Sequence, residues 1–151
     1  MDKIELGELI YELTLNITEM TEYGVSFEAL MAGEVPPPPE GARFDIYFEG
    51  VSNGPKLKGK VKGVDYLNMR ADGRTELHVY YKIMTDEGQN IAAQVGGLAT
   101  PRPNSSMTDL RENVTLFSSS ADYKWVNNLE VWAIGTVDLS TGIINISAYS
   151  V

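Results

Sequence analysis

Thr75-Glu76-Leu77-His78-Val79-Tyr80-Tyr81-Lys82-Ile83-Met84-Thr85 is the stretch that decides the fold. Leu77, Val79, Tyr81 and Ile83 fall on one parity. Glu76, His78, Tyr80, Lys82 and Met84 fall on the other. Alternation with a period of two marks a strand with one buried face. Just upstream, Asp72-Gly73 is a hairpin pair, because both residues tolerate the positive φ of a tight turn. Just downstream, Asp86-Glu87-Gly88 turns the chain again.

The same alternation extends outward in both directions. Toward the N-terminus, Leu9, Tyr11, Leu13, Leu15 and Ile17 oppose Glu12, Thr14 and Asn16. Phe44, Ile46 and Phe48 oppose Arg43, Asp45, Tyr47 and Glu49, and residues 50–55 (GVSNGP) predict a turn. Leu57 and Val61 oppose Lys58, Lys60 and Lys62, and residues 65–71 predict a short strand. Toward the C-terminus, Ile91, Ala93 and Val95 mark a strand that Gly96-Gly97 bends or ends. Residues 99–109, with Pro101 and Pro103, read as a loop. Residues 110–118 form a weaker strand, 118–122 a loop, and 129–137 and 143–151 two further strands. Two stretches differ from this pattern. Ser26 is placed to cap one helical turn carrying Phe27, Leu30 and Met31. Residues 34–41 hold Pro36 to Pro39, which lack the N–H a ladder requires and predict a stiff extended connector. The expectation is one all-β domain over residues 1–151. It is a sandwich or antiparallel barrel of eight or nine strands, with at most a short helical turn.

Composition narrows the function. The chain has 151 residues and a formal net charge of −9. A negative surface repels phosphate backbones and anionic lipid, so neither nucleic acid nor membrane is an expected partner. There is no cysteine and a single histidine, His78. Disulfides, thiolate metal sites and His-rich metal sites are thereby excluded. No phosphate loop, nucleophile elbow or dinucleotide fingerprint occurs, so no cofactor or metal is predicted. The N-terminal stretch lacks a basic region followed by an apolar block, and a cytoplasmic protein is expected.

Several phrases in order resemble the DUF3237 family, also called UPF0311: residues 54–61 (GPKLKGKV), Asp65-Tyr66, Glu76-Leu77 through Tyr81, Thr85-Asp86-Glu87-Gly88, and residues 123–127 (YKWVN). The resemblance runs from about residue 9 to the C-terminus. It implies a small antiparallel β-barrel and favours barrel over sandwich. No general biochemical function is established for the family, so the resemblance supports fold rather than activity. The chain departs from the family pattern in a longer link over residues 21–41 and in residues 50–53, where relatives have a Gly-Gly step. His78 and Tyr80 stand where relatives commonly carry Asp and Arg. Arg111 stands where relatives often have Arg.

The candidate site residues follow from parity and from that resemblance. His78 and Tyr80 share a strand face. If it is interior, an imidazole beside a phenol can bind a polar ligand or move a proton; Glu76 and Lys82 on the same face argue for solvent. Asp65-Tyr66 matches the family step, although Asp also forms plain turns. Trp125 and Asn127 share parity with Tyr123 and either wall a pocket or pack a corner in which Asn127 satisfies backbone groups. Arg111 either grips an anion or pairs with a surface acid. Lys56, Lys58, Lys60 and Lys62 form a wet stripe suited to guarding a sheet edge. The leading expectation is a barrel that binds a small, partly apolar molecule through Asp65, Tyr66, His78, Tyr80, Arg111, Trp125 and Asn127. The first alternative is an isomerase or lyase working by proton transfer, with His78 or Asp65 as base and Tyr80 as acid. The second is a structural module with a filled interior, and barrels with apolar outer faces also form homo-oligomers.

Overall fold

Eight strands close into an antiparallel barrel in which each strand pairs with its sequence neighbours and β8 returns to β1. The computed structural model describes residues 3–151; residues 1 and 2 of the expected domain lie outside them. The strands are β1 (Leu9–Glu22), β2 (Ala42–Pro55), β3 (Lys58–Met69), β4 (Thr75–Thr85), β5 (Asn90–Pro101), β6 (Met107–Phe117), β7 (Val131–Asp138) and β8 (Ile143–Ser150). A five-residue helix α1 (Phe27–Met31) lies between β1 and β2, and a 3₁₀ turn η1 (Lys124–Asn128) between β6 and β7. Among the described residues, no helix is long and apolar enough to cross a membrane.

The decisive stretch is β4 without adjustment, with Leu77, Val79, Tyr81 and Ile83 buried and His78, Tyr80, Lys82 and Met84 exposed. Three expected breaks are absent, and the loop expected over residues 99–109 shrinks to residues 102–106 between β5 and β6. Residues 50–55 continue β2, with the chain turning only at Pro55–Lys58. Residues 65–69 belong to the same strand as Lys58. Gly96 and Gly97 stay in β5, paired with His78 and Leu77. Glycine costs a strand backbone entropy, but here each is held extended by hydrogen-bonded strands on both sides. Because β3 has partners on both sides, its lysines guard no edge.

The helical turn forms as expected: Ser26 Oγ accepts the Ala29 N–H at 3.1 Å, satisfying one of the free donors at the helix start. The proline run after it belongs to no strand, and it ends in a turn where the Pro38 carbonyl accepts the Gly41 N–H at 2.8 Å. Together they carry the chain across one end of the barrel, where Phe27 packs edge-on against Phe44 at 5.1 Å.

The two ends of the interior differ. Around the β2–β3, β4–β5 and β6–β7 connections, Tyr11, Leu57, Ile83, Ile91, Val114, Val126 and Val131 are fully buried. This end is filled. Toward the α1 end, inward residues such as Ile46, Val79, Val137, Ile144 and Ile146 keep a small residual exposure. That exposure faces a void inside the barrel.

Candidate functional site in the barrel interior

The void is a cavity of about 90 Å³. That is several times the roughly 10–15 Å³ one water molecule needs. Its wall is apolar, built from Leu15, Phe48, Leu67, Leu77, Leu110, Ile146 and their neighbours, with Phe27 and Met31 of α1 at its mouth. Two carboxyl groups, Asp65 of β3 and Glu112 of β6, interrupt that wall; among the described residues no lysine, arginine or histidine lines it.

Asp65 faces inward because it shares parity with Val61, Leu67 and Met69. It is 9% exposed. Its Oδ1 accepts the backbone N–H of His78 at 3.1 Å, and the His78 ring Nδ1 lies 3.3 Å from the Tyr66 carbonyl. The carbonyl can only accept, so Nδ1 carries the hydrogen. These two side chains replace part of the β3–β4 ladder. The register is constant on either side, yet the pairs Tyr66–His78 and Leu67–Leu77 are missing from it. Burial raises the Asp65 carboxyl to about 6, opposed by the His78 N–H and the His78 ring.

Glu112 has the inward parity of Leu110, Val114 and Leu116. Beside it stand Gly97 of β5 and Ala133 of β7. Neither fills space or offers a side-chain donor. Glycine is required at 97, where φ is +152° and a Cβ would sit 2.0 Å from the Arg111 carbonyl oxygen. Among the described residues nothing hydrogen-bonds the Glu112 carboxyl, and desolvation, aided by the charge of Asp65, raises it to about 8. A carboxyl in an apolar cavity favours its neutral form because the anion loses its hydration without a compensating partner.

Tyr81 lines the cavity and is paired with Tyr11 behind it. The Tyr11 and Tyr81 hydroxyls are 2.6 Å apart and buried, and Tyr81 stacks edge-on with Phe48 at 6.2 Å. Burial pushes both phenols far above their ordinary range, so both stay neutral. One hydroxyl donates to the other. The site thus offers a neutral donor and one carboxylate within an apolar wall. Among the described residues no group of three or more potential metal ligands is found.

Of the residues singled out from the sequence, Asp65 alone lines this cavity. His78 is exposed and touches the site only through its backbone N–H. Tyr66 and Tyr80 form an outward edge-on pair at 6.2 Å, 46% and 49% exposed. Arg111 points outward and donates to the Leu110 carbonyl at 3.0 Å. Trp125 lies in η1, its ring 5.5 Å from Lys56 Nζ. Asn127 bonds the Ser118 backbone reciprocally, Nδ2 to the carbonyl at 2.7 Å and Oδ1 from the N–H at 2.9 Å. That is the corner-packing alternative. The structure therefore does not bring these seven residues together. Glu112, Tyr81 and Tyr11 were not singled out; the signal for Glu112 is a carboxylate on the apolar parity of its strand.

Solved structures share this architecture. A protein of unknown function from Clostridium acetobutylicum superposes with a TM-score of 0.76 at 22% identity, over 95% of this chain and 96% of that one. A β-barrel-like protein from Acinetobacter baumannii superposes with 0.74 at 19% identity, over 99% and 97%. An enzyme from Penicillium herquei superposes with 0.61 at 20% identity, over 99% and 98%. No curated protein matches the sequence. The family model for a protein of unknown function, DUF3237, matches residues 22–151, and the chain belongs to that family.

Proposed function

We propose that the barrel binds a small, uncharged, largely apolar molecule in its interior. One observation carries this reading: an apolar cavity holds a carboxyl, Glu112, with no hydrogen-bond partner. The carboxyl is partly buried and keeps access to the cavity space, since no side-chain nitrogen or oxygen among the described residues is both sealed off and without a partner; a purely structural core would carry an aliphatic residue there. A ligand that accepts a hydrogen bond satisfies it. Anions are disfavoured, since among the described residues no cationic side chain lines the cavity and an anion would meet Asp65; a cation would lose its hydration to a largely apolar wall.

A second reading, proton-transfer catalysis, rests on the unlike carboxyls. Burial raises Asp65 to about 6 and Glu112 to about 8. Near neutral pH the first serves as base and the second as acid. Glu112 takes the acid role expected of Tyr80, which faces solvent. The Penicillium herquei neighbour is an enzyme, which supports this reading by fold analogy alone.

Melting temperature in the presence of benzene, indole and cyclohexanone tests interior binding. A ligand that binds only the folded state raises it. At least one of these compounds is expected to stabilise the wild type and to lose its effect in Ala99→Phe, which fills the cavity. Equal shifts in both proteins would place binding elsewhere.

A further inference from the structure

We propose that the interior takes a ketone with an acidic C–H beside its carbonyl, Asp65 removing that proton while Glu112 donates a hydrogen bond to the carbonyl oxygen. The inference rests on the interior-binding reading above and adds the substrate class and the chemical step.

The geometry of the two acids carries it. They project into one cavity from strands three apart around an eight-stranded wall, so they approach a bound molecule from nearly opposite sides. Their remaining contacts differ. Asp65 has Oδ1 engaged by the His78 N–H, which fixes the carboxylate, while Oδ2 has no partner among the described residues. A held carboxylate with one free oxygen is suited to a base. Glu112 has neither oxygen engaged by a described residue, and its neighbours Gly97 and Ala133 leave space beside it. A neutral carboxyl in that position is a hydrogen-bond donor, and a carbonyl oxygen gaining negative charge is the acceptor it stabilises best. Tyr81 also lines the cavity, its hydroxyl paired with that of Tyr11. Apart from Thr75 and Thr108, the rest of the wall is hydrocarbon, which fits an alicyclic or aromatic skeleton.

The step balances without a co-reactant. In a β,γ-unsaturated ketone, Asp65 takes the proton from the carbon between the carbonyl and the alkene. The C–H electron pair forms a new C=C bond, and the carbonyl π pair moves to oxygen, where Glu112 supports it. The oxygen pair then re-forms the carbonyl, the enolate C=C pair shifts to join the α and β carbons, the old alkene π pair takes the proton back from the Asp65 acid at the γ carbon, and the conjugated ketone leaves. In a saturated ketone the same abstraction and return exchanges an α hydrogen with solvent.

The pH dependence follows from the groups that face these two. Asp65 meets the His78 N–H and ring from β4; Glu112 meets Asp65 from β3 and the neutral tyrosines Tyr81 of β4 and Tyr11 of β1. Activity requires Asp65 ionised and Glu112 protonated, and so falls below about 6 and above about 8.

The test combines NMR of the full chain with cyclohexanone, cyclopentanone and cyclohex-3-enone in D2O. Expected are shifts of the Leu77, Val79 and Ile146 methyls on binding, deuterium entering the α position, and conversion of cyclohex-3-enone to its conjugated isomer. Asp65→Asn keeps the acceptor for His78 and is expected to bind the ketones but lose turnover at least 100-fold. Glu112→Gln, which still donates a hydrogen bond, retains more. Interior methyl shifts with exchange no faster than in Asp65→Asn and Glu112→Gln would overturn this inference and leave interior binding standing. No interior shift with any of the three ketones would overturn the inference, and failure of benzene and indole as well would overturn the binding reading.

Discussion

Glu112 shows how one residue sets the behaviour of the interior. Its raised carboxyl means that between about pH 4.5, its ordinary value, and about 8 the folded protein holds a proton that the unfolded chain has lost. Stability then falls as pH rises through that window and levels off above it, because the unfolded state binds fewer protons. Asp65 adds the same sign between about 3.8 and 6. Glu112→Gln removes the Glu112 share. Urea midpoints from pH 5 to 8 are therefore expected to diverge, the variant gaining at most about 1.4 kcal/mol per pH unit. Parallel curves would show that Glu112 is solvated. The residue was legible, but as a defect: a carboxylate among Leu110, Val114 and Leu116 makes β6 read as a weak strand, because periodicity counts it as an interruption. Asp65 was found through family resemblance, since a lone Asp after Gly63-Val64 also reads as a turn former. His78, Tyr80 and Trp125 drew attention for their chemistry, yet parity alone does not say which face of a strand turns inward.

At the scale of elements, the strands were legible wherever alternation ran unbroken, as in β4, and their ends were not. Glycine and proline signal turns locally, but Gly50, Gly96 and Gly97 lie within strands because pairing on both sides holds them extended. The strands also divide the interior into a packed and a hollow part. Ile83 is fully buried in the packed part, whereas Ile146 lines the cavity. Truncation costs most where many neighbours lose contact and a new void opens. Ile83→Ala is expected to lower unfolding free energy by about 3–4 kcal/mol and Ile146→Ala by about 2 kcal/mol. Chemical denaturation of both variants checks the order; equal losses would mean that the interior is uniformly packed. At the mouth, α1 forms because Ser26 caps it and Phe27 finds Phe44, so a five-residue helix is held by tertiary contact rather than by propensity.

At the scale of the molecule, closure was the feature local pattern could not supply. The β1–β8 pairing joins Leu9 to Tyr149 and Asn16 to Ile143, residues at opposite ends of the sequence. Alternation permits that pairing and equally permits a sandwich; family resemblance favoured the barrel. Closure turns an alternating pattern into an inside and an outside, and it gathers Asp65, Glu112 and Tyr81 from three strands around one apolar space. It also leaves an outer groove around Tyr23, Arg43, Asp45, Tyr66 and His78, to which Leu67 contributes as it does to the cavity. The central claim is that the inner space, not this groove, receives the ligand. The direct measurement is a crystal soaked with bromobenzene or a bromo-substituted cyclic ketone, with bromine located by anomalous scattering. The account predicts bromine inside the barrel, among Leu77, Leu110 and Ile146, and the ketone oxygen within hydrogen-bond distance of Glu112. Bromine confined to the Tyr66–His78 groove, with the interior closed by side chains, would contradict it.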